Sequence, residues 1–155
     1  MGQSTDGQIC FGVLLDEATD LPWDNDIDAG DLEMWWMRMQ GYRPLFTLWD
    51  ETGNYVNGVR PPEEKLKEYY DHKHAFEETH PVPFALVNYC SQNYPLYILA
   101  IASSERVANR GYPKSFNPAD LNVSQDEINN LLKFCADHGI EYNNEPGWWL
   151  SSYWG

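Results

Sequence analysis

Nine carboxylates precede the first cation of this chain. Asp6, Asp16, Glu17, Asp20, Asp24, Asp26, Asp28, Asp31 and Glu33 all come before Arg38, and six of them fall between Asp20 and Glu33, in a stretch that also holds Pro22 and Gly30. Unpaired carboxylates resist leaving water, so this stretch must run over the surface or hold cations. A first strand has to end at about Asp16, and the next regular element can begin only near Asp31. The same anions give that surface a negative field, which favours a cationic partner.

The rest of the composition fits a folded chain that is not built for anionic polymers. At 155 residues with 43% hydrophobic residues, a single globular domain spanning 1–155 is expected. The net charge of -14 argues against direct nucleic-acid binding, which calls for a basic face, and against adhesion to anionic membranes. The longest apolar stretch, residues 95–103, is too short to cross a bilayer. No basic segment opens the chain, so no signal peptide is expected. Cys10, Cys90 and Cys135 read as reduced thiols of a cytoplasmic protein, and their spacing does not suit zinc.

Local patterns divide the chain into elements. Residues 8–15, apolar and bounded by Gly7 and Asp16, predict a buried strand. Asp31 as an N-cap and Gly41 as a stop predict a helix over 31–39. Leu45–Leu48 reads as a short strand, and 50–60 as turn-rich. Pro61 and Pro62, followed by Glu63 and Glu64, open a helix that runs to about Glu78, with Leu66, Tyr69, Tyr70, Lys73 and Phe76 as its inward stripe. Residues 82–89 and 96–102 form a hairpin expected at the centre of the sheet. Residues 103–123 read as irregular. Ser124 with Glu127 is a capping box, and Gly139 closes the helix that follows. The aromatic segment 148–154 predicts a last strand beside residues 8–15, because so apolar an end would otherwise leave a large exposed patch. The fold class is therefore α+β: a mainly antiparallel sheet of four to five strands with about three helices packed on one face.

Motifs of known chemistry are sparse. Asp24–Asp31 invites comparison with a calcium loop, but position six would be Ala29 and position twelve Trp35, and neither meets the requirement. Asp71, His72, His74 and His80 form a polar helix end more readily than a metal site. Ser4, Thr5 and Asp6 read as an N-terminal turn. No phosphate loop, dinucleotide fingerprint or nucleophile elbow is present, so no cofactor and no metal is expected. Two tryptophan pairs, Trp35–Trp36 and Trp148–Trp149, stand out. Trp35 or Trp36 would suit an aromatic anchor in a surface ringed by carboxylates.

The ends of the chain carry a resemblance. Gly2-Gln3-Ser4-Thr5-Asp6-Gly7-Gln8-Ile9, running into Phe11-Gly12, and Pro146-Gly147-Trp148-Trp149-Leu150-Ser151-Ser152-Tyr153-Trp154-Gly155 resemble the opening and finish of a group of small proteins encoded by tailed bacteriophages. Phe134-Cys135 and Gly139-Ile140-Glu141 also fit. The resemblance implies a phage origin and action in the host cytoplasm, and it implies no particular chemistry. The class of such proteins suggests an anti-defence factor. The expectation is a non-enzymatic inhibitor that binds the basic surface of a host defence or nucleic-acid-handling protein through Asp20, Asp24, Asp26, Asp28, Asp31 and Glu33, with Trp35 or Trp36 as anchor. Alternatives are a binder of a nucleotide signal using Arg38, Arg43, Arg60, Arg106 and Arg110, a small hydrolase using His74, His80 or Cys90, and a virion component. A homodimer stays open.

Overall fold

A computed structural model of the protein describes residues 5–17, 19–24 and 31–154. The architecture is α+β: a mixed, mostly antiparallel sheet of five strands, β1 (Thr5–Leu14), β2 (Phe84–Ser91), β3 (Tyr94–Ile101), β4 (Arg106–Ala108) and β5 (Gly147–Trp154), with three helices, α1 (Leu32–Met39), α2 (Glu63–Thr79) and α3 (Gln125–His138). Contacts divide the chain into two compact units, one of Met1–Leu21 with Pro83–Gly155, the other of Pro22–Val82. The sheet and α3 belong to the first, α1 and α2 to the second.

In the sheet unit the hub is β1. It pairs antiparallel with β5 from Thr5↔Trp154 to Gly12↔Gly147, as the apolar end segment predicts. Its other edge is shared, with β4 beside Gly7, Gln8 and Ile9 and β3 beside Gly12, Val13 and Leu14. Between those two partners the Phe11 backbone N–H donates to the Ser104 hydroxyl at 2.9 Å, so the gap in the ladder is filled by a buried side chain. The hairpin of β2 and β3 forms as expected, but it is not the centre of the sheet. β2 continues into β5 through a short parallel pairing, Cys90↔Tyr153 and Ser91↔Trp154. The pairings β1–β5, β5–β2, β2–β3 and β3–β1 therefore close on themselves.

The ring is filled by Cys10, Val87, Ile98 and Ala100, with Tyr89 and Trp149 packed against them. Trp149 Nε1 donates to the Gly12 carbonyl at 2.9 Å, and the Gln8 amide donates to the Asn88 carbonyl at 2.6 Å, tying β1 to a strand with which it has no ladder. The opposite face of the sheet meets α3, whose Leu131, Phe134 and Cys135 are buried. Phe84 of β2 packs on Phe134 with ring centroids 4.6 Å apart. The predicted capping box is present, and Gly139 ends the helix at φ 64 in the left-handed region.

In the Pro22–Val82 unit, Trp23, Met37 and Tyr42 are almost wholly buried. Trp23 meets Trp35 edge to face at 5.7 Å, and Tyr42 lies against His72 and Phe76. Leu48, Leu66 and Tyr69 form a second cluster with Phe46 and Tyr55. The short strand expected at Leu45–Leu48 does not form. That stretch follows Pro44 and has no partner strand among the described residues of its unit, and only an isolated bridge joins Trp49 to Tyr55. β4 is the converse, a strand inside a segment expected to be irregular.

Candidate functional site

A cleft of about 920 Å³ opens in the Pro22–Val82 unit. Asp31 sits at its α1 end. Its carboxylate caps that helix by accepting the Met34 N–H at 2.7 Å. Asp50 and Glu51 lie on another wall. Asp50 accepts hydrogen bonds from the Thr52 hydroxyl at 2.6 Å, the Thr52 N–H at 2.9 Å and the Asn54 N–H at 3.1 Å. These bonds, the hydroxyl foremost, hold its carboxyl below the usual range, so Asp50 is an anion throughout the neutral range. Gly53, at φ 77, supplies the left-handed residue that this turn requires.

Aromatic rings line the same cleft. Trp49 stacks on Tyr55 at 4.6 Å with an interplanar angle of 18° and remains 45% exposed. Tyr70 is exposed as well, and its ring meets the buried Tyr69 edge-on at 5.4 Å. Arg38 and Lys73 also reach the cleft. The Lys73 ammonium bonds Glu33 at 3.0 Å and also contacts Glu77, so its charge is matched within the unit. Burial works to lower the Lys73 pKa, and the hydrogen bonds to Glu77 and Glu33 outweigh it, leaving the value raised. Glu77 is the mirror case: burial pushes its carboxyl up, while Lys73 and His74 bring it below the ordinary value.

The acids expected to form a recognition face are distributed. Asp20 is exposed but belongs to the sheet unit, while Asp24, Asp31 and Glu33 are exposed in the other. Asp26 and Asp28 lie outside the described residues. Of the described members of the expected set, only Asp31 lines the cleft. Trp35 is buried against Trp23, whereas Trp36 is half-buried. The sequence reading missed Trp49, Asp50, Glu51 and Tyr70. Their signal was an aromatic–acid–acid run ahead of the Gly53-Asn54 turn, read only as turn chemistry.

The remaining candidates have local partners. His74 Nδ1 lies 2.8 Å from Glu77, His80 stacks on Phe76 with its Nδ1 2.9 Å from the Thr79 hydroxyl, and His72 Nε2 meets the Arg43 carbonyl at 3.0 Å. Cys90 is exposed at the hairpin with φ 75. Burial, reinforced by Glu105, pushes the Cys10 thiol up to about 12, and burial pushes Cys135 up to about 11, so both are inert thiols at neutral pH. Thr5 and Asp6 begin β1 instead of forming a turn, and the Asp6 carboxylate accepts the Arg110 N–H at 2.9 Å. Among the described residues, no three His, Cys, Asp or Glu side chains converge as a metal site would need, and no helix is long and apolar enough to cross a membrane. No protein-family model, no curated protein and no solved structure matches this chain.

Proposed function

We propose that the protein is a non-enzymatic binding protein that holds a basic surface of a partner protein against the cleft of the Pro22–Val82 unit. One observation carries the reading: Asp31, Asp50 and Glu51 share that cleft with the exposed rings of Trp49 and Tyr70. Carboxylates attract a lysine or arginine and raise its rate of encounter. An aromatic face holds the same cation at short range, worth about 0.5–1 kcal/mol at an exposed site. Asp24 and Glu33, exposed in the same unit, add to its negative field. The resemblance of the chain ends to tailed-phage proteins points to a host defence or nucleic-acid-handling protein as the partner, since such proteins carry basic channels.

The test is capture of basic host proteins by the wild type and by a variant carrying Asp24→Lys, Asp31→Asn, Asp50→Asn and Glu51→Lys, at low and high salt. Asn at 31 and 50 keeps an oxygen for the cap and the turn. Capture should weaken by about tenfold or more in the variant and in high salt. Capture indifferent to both would end the proposal. A second reading, a nucleotide-signal binder, is favoured by the cleft volume of about 920 Å³, which lies within the range of about 300–1,000 Å³ common to ligand pockets. A thermal-shift screen with cyclic nucleotides and nicotinamide derivatives separates the two, because a stabilising ligand raises the melting temperature.

A further inference from the structure

The sheet unit carries a second surface that owes nothing to the cleft. Leu150 lies in the middle of β5, a strand flanked by β1 and β2, yet it is 83% exposed. Its register partner on β1 is Ile9, and Ile9 in turn pairs with Arg106 of β4. Trp154, four residues along β5 and so on the same face as Leu150, is 51% exposed. Phe116, at 45% exposure, borders this face from the segment after β4. Ile9, Ala108, Phe116 and Leu150 line a groove of about 280 Å³ with Arg106 and Lys114 on its rim. An apolar strip on the outside of a sheet is the kind of surface that soluble proteins cover with a partner.

We infer that this face of β4, β1 and β5 docks an extended peptide segment of a partner, one with an apolar side chain flanked by carboxylates. Three observations select that occupant. First, the groove of about 280 Å³ lies at the small end of the range of roughly 300–1,000 Å³ for ligand pockets, a size that suits the insertion of one side chain. Second, β4 is the end strand of the sheet order, laddered to β1 among the described residues, and an open sheet edge can take up an extended segment as a further strand. Third, the local charge is opposite to that of the molecule. Arg106 and Lys114, two of the four cations in Met1–Leu21 with Pro83–Gly155, line the groove of a chain whose net charge is -14. The Arg106 guanidinium donates to the Ser103 carbonyl at 2.9 Å and the Glu105 carbonyl at 2.7 Å, which fixes its position on the rim. Glu105 also borders the groove, so Lys114 supplies the charge that decides the sign.

The experiment uses the full chain and an array of short labelled peptides with a central Leu, Ile or Phe flanked by Asp or Glu. Controls carry Lys or Arg flanks, or Ser at the centre. Variants Leu150→Ser and Lys114→Glu alter exposed side chains and should melt like the wild type. We expect saturable binding of the acidic peptides, weakened by about tenfold in each variant. Lys114→Glu should shift preference toward peptides with basic flanks, and Glu78→Lys, at an exposed position of the other unit, should leave peptide binding unchanged. Absence of saturable binding by the acidic peptides would overturn the inference, as would binding indifferent to both substitutions. Binding to anionic vesicles in preference to peptides would reassign the face to a membrane. A concentration-dependent dimer abolished by Leu150→Ser would reassign it to a second copy of the chain.

Discussion

A methyl group at position 12 has no room. A Cβ built on Gly12 would lie 2.3 Å from the Leu99 carbonyl oxygen and 2.7 Å from the Ala100 Cα, both backbone atoms that no rotamer change can move. The closure of β1 onto β3 at Gly12↔Ala100 therefore depends on the missing side chain, not on glycine's freedom of φ. Gly12→Ala should destabilise the fold at or above the upper end of the range for overpacking, about 3 kcal/mol. For a chain of this size that lowers the melting temperature by about 6–12 °C. A calorimetric melt within a degree or two of the wild type would mean that β1 and β3 do not approach so closely. In the sequence Gly12 is one small residue in an apolar run. What makes it indispensable is a strand far along the chain, and no local pattern announces that.

At the scale of elements, legibility follows the range of the signal. α3 could be read because its signals are local. The Ser124 hydroxyl accepts the Glu127 N–H at 3.2 Å, the Glu127 carboxylate accepts the Ser124 N–H at 2.8 Å, and Gly139 closes the other end. The Ser124 backbone N–H first, then the Ser124 and Ser103 hydroxyls, which donate to the Glu127 carboxylate at 2.8 Å and 3.1 Å, hold that carboxyl below its ordinary value. Ser124→Ala should cost about 1 kcal/mol, with hydrogen exchange accelerating in the first turn of α3 before anywhere else. Uniform acceleration across the sheet unit would show that the cap acts globally. The strand of residues 8–15 and its pairing with the chain end were legible from apolar content and from the cost of leaving aromatics exposed. β4 was not, because three residues carry too little pattern and are held only by their ladder to β1. Leu45–Leu48 failed in the opposite sense: apolar residues without a partner strand make a core contribution, here Phe46 and Leu48, but not a strand.

At the scale of the whole molecule the acidic balance could be read at once, but its arrangement could not. Asp31 belongs to the run that dominates the sequence, while Asp50 and Glu51 join it in the cleft only through the packing of the Pro22–Val82 unit. That packing also sets how stability depends on pH. Glu77 has a folded pKa below its ordinary 4.5, because Lys73 and His74 outweigh the burial that would raise it. A lowered carboxyl adds stability above its unfolded value and loses it as pH falls through the folded one. Lys73 has a folded pKa above its ordinary 10.5, so its contribution is complete below that value and is lost as pH rises through the folded one. The pair therefore stabilises over a plateau from roughly pH 5 to 10. Asp50 and Glu127, both lowered by hydrogen bonds to their charged forms, steepen the acid limb in the same direction. Glu77→Gln keeps the shape and removes the charge. It should cost about 1 kcal/mol at pH 7, the upper range for a partly exposed ion pair, and the deficit should shrink steadily below pH 5, because protonated glutamate and glutamine are equivalent to Lys73. Melting curves of both proteins across that range decide the matter. A deficit that stays constant into acid would mean that Glu77 acts by packing and not through its charge on Lys73.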